Sequence, residues 1–289
     1  MNVDKWLKRN TKSLKGKTVA VTGTTGGIGT ELCSYLARLG ANLVLVDRNP
    51  QKSNAFAEQL KNRFCVRVTC ITADLEDTYS VTVATERIKK ESPDVFIHNA
   101  GAYSIPRYKT KSGLDNVFQI NFASPYYMIK ELLPTLRENA GRVVVVGSIA
   151  HNYSKSDPAD LDFSTRTAAS KVYGNAKRYL MSSLFELFKD EAGVALAVTH
   201  PGITLTNITA HYPDWIYKII KYPMKVIFMS PAVASLSVLR GVFDGCGYFE
   251  WIGPWCFDIW GRPRKKKLKT VKSDEAERIF AAAEELVRK

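Results

Sequence analysis

Three tyrosines in this chain are followed four residues later by a lysine: Tyr126 and Lys130, Tyr173 and Lys177, Tyr217 and Lys221. On a helix that spacing puts both side chains on one face. A free phenol titrates near ~10, poorly matched to proton transfer at neutral pH. A nearby ammonium favours the phenolate and lowers that value. Each pair is therefore a candidate acid–base unit. The motif alone does not choose among them, so the surrounding elements must.

A second kind of chemistry is written in Thr22-Gly23-Thr24-Thr25-Gly26-Gly27-Ile28-Gly29. Gly23, Gly27 and Gly29 give G-x-x-x-G-x-G between a β-rich run and a helical pattern. Such glycines allow a sharp turn and let backbone approach a pyrophosphate. The helix that starts there offers free N–H groups and its positive dipole end to that anion. Asp47 closes the next strand, close to ~20 residues on, where an acid binds the adenosine ribose hydroxyls of a dinucleotide. Asp74 follows the third strand, within reach of an adenine amino group. His98-Asn99-Ala100-Gly101 follows the fourth, at the carboxyl edge where nucleotide sites form. A carboxylate at Asp47 selects NAD(H) by repelling a 2′-phosphate. Arg48 leaves NADP(H) open.

The elements that must hold these residues alternate strand and helix. Strands are predicted at 17–22, 42–46, 65–71, 94–98, 142–147 and 194–199, with a weaker seventh at 248–252. Unbroken Val runs such as Val143–Val146 suit strands buried on both faces. Buried parallel strands separated by amphipathic helices specify a doubly wound α/β sheet of about seven strands. Asn49-Pro50 reads as an N-cap and first helical position. Three segments are predicted: an N-terminal extension at 1–16, a Rossmann domain at 17–261, and a basic segment with a C-terminal helix at 262–289. Val3, Trp6 and Leu7 have helical spacing in the first. Ser273 is the expected N-cap of the helix in the last.

In order and spacing, TGTTGGIG, Asp74, HNAG, Ser148, Tyr173-x-x-x-Lys177 and Pro201-Gly202 resemble the short-chain dehydrogenase/reductase family, over about Leu14 to Gly253. Only the Tyr173 pair follows Ser148 and precedes Pro201-Gly202, which leaves the other two pairs as ordinary amphipathic spacing. The resemblance implies roles. Tyr173 exchanges the proton, Ser148 holds the substrate oxygen, Lys177 also bonds the nicotinamide ribose, and Asn121 supports a water-linked relay. The cofactor site it implies comprises Gly23, Thr25, Gly27, Ile28, Gly29, Asp47, Arg48, Asp74, Leu75, Asn99, Ala100, Gly101, Tyr173, Lys177, Pro201, Gly202, Ile203 and Thr206. Ser-x-Ala-His at 148–151 and the 25-residue step to Tyr173 look like the retinol-dehydrogenase branch. Ala176, where the family usually has serine, departs from it. His151 is not expected to act as a second base.

Composition narrows the rest. The chain has 289 residues, 45% hydrophobic and 24% charged, an ordinary globular mixture that excludes disordered and collagen-like classes. Cys33, Cys65, Cys70, Cys246 and Cys256 form no C-x-x-C, which argues against a disulfide framework or a zinc site and suits a reducing cytoplasm. No metal is expected. The net charge of +13 concentrates at the ends, with six basic residues in 1–20 and six in 262–269. Without basic stretches interleaved with aromatics in the middle, specific nucleic-acid binding is not expected.

The aromatic and aliphatic segment from Tyr212 to Met229 lies where the family builds its substrate lid. Trp215, Ile219 and Tyr222 share one helical face as an apolar wall. Subunit contact and, through Lys218, Lys221 and Lys225, a membrane-surface patch are alternative roles. The expected function is an NAD(H)-dependent oxidoreductase of a bulky apolar secondary alcohol or ketone, steroid-like, in a homodimer or homotetramer. Alternatives are an NADPH-dependent retinal or fatty-carbonyl reductase and a non-catalytic dinucleotide sensor.

Overall fold

The computed structural model describes residues 1–204 and 229–288, and all statements below concern those residues. Thr206, Trp215, Ile219 and Tyr222, together with the Tyr217–Lys221 pair and nearly all of the 212–229 lid segment, lie outside them.

Eight strands form one sheet in the order β3-β2-β1-β4-β5-β6-β7-β8. They are β1 (Thr18–Thr22), β2 (Asn42–Asp47), β3 (Val68–Thr72), β4 (Val95–His98), β5 (Arg142–Val146), β6 (Ala195–Thr199), β7 (Glu250–Cys256) and β8 (Trp260–Lys267). All neighbours run parallel except β7 and β8. The helices are α1 (Val3–Asn10), α2 (Gly27–Arg38), α3 (Pro50–Phe64), α4 (Thr78–Lys90), α5 (Asn116–Phe118), α6 (Ser124–Glu138), α7 (Ala169–Leu187), α8 (Pro231–Phe243) and α9 (Ser273–Arg288).

The sheet separates two cores because alternate residues of each strand face opposite sides. Val19, Val21, Leu43, Leu45, Ile97 and Val144 pack with α1, α2, α3 and α8. Ala20, Val44, Phe96, Val143 and Val145 pack with α4, α6, α7 and α9. Strands β4, β5 and β6 have buried residues on both faces, which explains their unbroken apolar runs.

Three boundaries differ from expectation. The sheet has an eighth strand beyond the seven expected, and the 261 boundary falls inside β8, so most of the basic segment, 262–267 of 262–269, belongs to the sheet. The third strand starts at Val68, because Cys65 ends α3 in a left-handed conformation with φ 55°. Ser273 opens α9 from inside, its hydroxyl turned to Glu277. Asn49 does cap α3, accepting from the Lys52 amide at 2.9 Å, and Trp6 and Leu7 of α1 are buried.

Candidate active site at the carboxyl ends of the central strands

Strand order reverses between β1 and β4. In an open parallel sheet that switch point opens a crevice beyond the carboxyl ends of the strands. The expected residues converge there. Gly23, at φ 71°, follows β1, and a Cβ on it would lie 2.8 Å from the Ala100 Cα. A Cβ on Gly29 would meet the Gly23 carbonyl at 2.1 Å. No larger residue fits at either place. The Asn99 amide donates to the Thr22 and Gly23 carbonyls at 3.2 and 2.9 Å, while the Asn99 and Ala100 N–H groups reach the Thr22 hydroxyl. Asn99 thereby ties the end of β4 to the glycine turn. Helix α2 begins at Gly27 with no side chain capping it, so its N-terminal amides stay available for an anion. Ile28 packs beside the core beneath.

Asp47 is turned into this turn. Its carboxylate accepts from the Thr24 hydroxyl, from the Thr25 amide and hydroxyl at 3.2 Å each, and from Ser53 at 3.2 Å. Only 5% of it is exposed, whereas Arg48 is exposed. Asp74 caps its own turn through the Glu76 amide at 3.0 Å, and the Leu75 carbonyl accepts from Ser124.

Helix α7 carries both Tyr173 and Lys177. Gly174 permits its close approach to the turn of 3-10 helix over Ile149–Tyr153, since a Cβ there would strike the Ala150 carbonyl at 2.3 Å. Ser148 caps that turn, accepting from the Ala150 amide at 3.2 Å. Burial pushes the Tyr173 phenol up to about 12, opposed by its hydrogen bond with Ser148. Lys177 is buried, and its Nζ donates to the Val146 carbonyl at 2.9 Å. Burial brings its ammonium down to about 8. The Lys177 ammonium lies over the Tyr173 ring face, 5.6 Å from its centre, and is turned to the Val146 carbonyl. The phenol stays protonated at neutral pH.

Asn121 sits in a five-residue π-helical stretch, Gln119–Ala123, between α5 and α6. Its amide donates to Ala102 O at 2.9 Å and Val117 O at 2.8 Å, and its oxygen accepts from the Ala102 amide at 3.2 Å. A Cβ on Gly101 would lie 2.8 Å from that oxygen and 3.6 Å from Lys177 Nζ. Pro201 is buried, and Gly202 adopts φ 83°. Ile203 follows, donating to the Ile259 carbonyl at 3.3 Å.

Tyr103, which was not expected, and His98, the first residue of the His98–Gly101 motif, lie beside these residues. The Tyr103 ring meets Tyr173 edge-on at 5.3 Å. His98 is buried against the Thr22 hydroxyl at 3.0 Å, held neutral by burial and then by Lys177. His151 has both ring nitrogens engaged, one with Ser148 O at 2.6 Å and the other with the Thr270 hydroxyl at 2.7 Å. Tyr126 and Lys130 are taken up by Glu284 of α9 at 2.6 and 2.7 Å.

The arrangement suits a nicotinamide dinucleotide. Gly23 and Gly29 have no room for side chains, helix α2 is uncapped, and buried Lys177 has N–H groups beyond the one given to Val146. A family model described as short chain dehydrogenase matches residues 17–216. Retinol dehydrogenase 12 of Mus musculus is 33% identical over 202 residues, 68% of this chain and 64% of that protein, so the chain spans just under two thirds of this relative. Among solved structures, an uncharacterised protein from Mycobacterium paratuberculosis is 23% identical with TM-score 0.76, covering 97% of this chain and 96% of that one. A short-chain dehydrogenase from Sphingobium yanoikuyae in complex with NADPH is 24% identical with TM-score 0.55, covering 67% and 73%.

Proposed function

The chain belongs to the short-chain dehydrogenase family, and from that premise we propose that it reduces the ketone of a bulky apolar substrate with a nicotinamide dinucleotide. One observation carries the reading. The Ser148 hydroxyl and the Tyr173 phenol meet above buried Lys177, beside the glycine turn at the switch point.

Gly23, Thr25, Gly27, Ile28, Gly29, Asp74, Leu75, Asn99, Ala100, Gly101, Pro201, Gly202, Ile203 and Thr206 would line the dinucleotide. Bound in its reduced form, the cofactor supplies the hydride. Ser148 holds the carbonyl oxygen. Tyr173, protonated at neutral pH, donates its proton to that oxygen as charge develops. Lys177 would hold the ribose hydroxyls through the N–H groups not given to Val146. Asn121 fixes the Ala102 backbone, its amide bonded to Ala102 and Val117, and would support a water-linked relay from there.

Asp47, at the end of β2 where it would face the adenosine ribose, supports NAD(H). A second reading, NADP(H), has its own support. Asp47 is committed to Thr24, Thr25 and Ser53, while exposed Arg48 can reach a 2′-phosphate. The structural neighbour that holds NADPH points the same way.

The substrate class rests on the aromatic and aliphatic segment around Trp215, Ile219 and Tyr222, which suits a steroid-like ring system. Retinal or a fatty carbonyl fits the same chemistry, and the retinol dehydrogenase relative supports it. The test is loss of reduced-nicotinamide absorbance with NADH and NADPH against steroid ketones, retinal and short ketones. Turnover on short ketones alone, or on none, would overturn the reading.

A further inference from the structure

The β7–β8 hairpin carries a surface that the reductase chemistry does not use. At its tip three large aromatic side chains stand in solvent: Trp255 is 56% exposed, Phe257 79% and Trp260 44%. The tip is a tight turn closed by the Ile259 amide on the Cys256 carbonyl at 2.9 Å. Its two central residues, Phe257 and Asp258, have φ of 48° and 59°. A left-handed conformation disfavours a bulky side chain such as phenylalanine. Strain and an exposed ring at one residue mark a position kept for something other than stability.

Behind the tip, β8 reads Trp-Gly-Arg-Pro-Arg-Lys-Lys-Lys, with five basic residues and no acid. Lys266 pairs with Asp258 at 2.7 Å. Among the described residues no ion pair engages Arg262, Arg264, Lys265 or Lys267, and all four are exposed. Arg262 and Arg264 share an open cleft with Trp255 and Val233.

We propose that this hairpin docks the protein on an anionic lipid surface, with Trp255, Phe257 and Trp260 in the headgroup region and Arg262, Arg264, Lys265 and Lys267 against lipid phosphates and carboxylates. Exposed aromatics beside basic residues are the combination an interfacial anchor requires. The charge pattern argues against a second copy. Two β8 edges paired around a two-fold axis would set lysines and arginines opposite one another, which destabilises a ladder. Position favours lipid over nucleic acid. The Ile259 carbonyl accepts from the Ile203 amide, and a Cβ on Gly202 would lie 2.5 Å from that carbonyl. The hairpin thus adjoins the turn that flanks the crevice, where an apolar substrate partitioned in lipid would arrive. That last step rests on the reading of an apolar substrate; the exposed hairpin does not.

Sedimentation of the full chain with phosphatidylcholine vesicles, with and without phosphatidylserine, tests the docking. Binding is expected only with phosphatidylserine, weakening as salt rises, with a blue shift of tryptophan fluorescence. Replacing Trp255, Phe257 and Trp260 together by serine, or Arg262, Arg264, Lys265 and Lys267 together by glutamine, should weaken it by ~10-fold or more. Reduction of a water-soluble ketone should persist in both variants, which reports that they fold. Equal binding to neutral vesicles, or none to either kind, overturns the proposal. So does a change of oligomeric mass in the variants with vesicle binding intact, which assigns the face to a second copy. Saturable oligonucleotide binding lost in the variants assigns it to nucleic acid. A wild type that docks yet reduces no ketone sinks the proposed function and leaves the docking standing.

Discussion

The ammonium of Lys177 lies 5.6 Å from the centre of the Tyr173 ring and one helical turn along α7, with its proton directed at the Val146 carbonyl. Among the described residues no ion pair engages Lys177. In the absence of ligand, burial dominates and leaves the phenol a proton donor.

Replacing Tyr173 by phenylalanine keeps the ring and its edge-on contact with Tyr103 while deleting the proton. Turnover should fall by at least ~100-fold, the usual scale for a lost general acid. Cofactor affinity, read by fluorescence titration, should change little. Retained turnover would put the chemistry elsewhere.

Asp47 does two things that separate by substitution. Its oxygens organise Thr24 and Thr25, and its charge opposes a 2′-phosphate. Asp47→Asn keeps an acceptor oxygen and should move the ratio of NADPH to NADH kcat/KM upward by roughly 10-fold. Asp47→Ala should weaken both cofactors by loosening the turn. Arg48→Ala should weaken NADPH alone. Unchanged ratios in all three variants would remove both residues from cofactor choice.

Acid should destabilise the fold through its buried histidines. Burial lowers His151 and His200 to about 4 from 6.5. As pH falls below 6.5 the unfolded chain takes up protons that the folded chain refuses. The stability present above 6.5 is therefore lost on the way to about 4. Each histidine should cost about 2 kcal/mol at pH 5 relative to pH 7. Urea unfolding at the two pH values measures this. His200→Phe, which preserves a ring on Trp251, should flatten the slope.

Arg178, on α7, forks onto Glu275 of α9 with Nε–Oε1 at 2.7 Å, and also donates to the His151 carbonyl. Glu275→Ala leaves a buried guanidinium without its carboxylate and should cost roughly 3 kcal/mol. The double variant Arg178→Met with Glu275→Leu should recover much of it. Equal loss in both, by thermal unfolding, would show that packing rather than charge is at stake.

Trp215→Ala should raise KM for a bulky steroid ketone by roughly 10-fold, the scale of ~1.5–3 kcal/mol for a buried apolar side chain. A short ketone should barely respond. Equal effects on both would make the segment structural.

What the sequence let through depended on physical character. Strands such as Val143–Val146 were readable because burial on both faces demands an apolar run. Strand β8 was not, because an exposed edge permits five charges and leaves no hydrophobic period. Asn49 announced itself as a cap by preceding proline; Cys65 gave no sign that it ends α3. Gly23, Ser148, Tyr173 and Lys177 were singled out by their order along the chain, and the fold brings them to one end of the sheet. The inward turn of Asp47 was hidden, since Thr24, Thr25 and Ser53 only become its donors after folding. So was Tyr103, whose contact with Tyr173 spans two elements without a sequence pattern.

The closeness of Gly202 to Ile259 bolts the hairpin tip to the turn beside the crevice, with no space for either to slide past the other. Two ligands on opposite sides of such a joint that do bias one another must do so reciprocally. If lodging the hairpin in lipid improves the grip on a substrate by some factor, bound substrate must improve the grip on lipid by that same factor. A protein built this way would stay on its membrane while occupied and leave more readily once its product has gone.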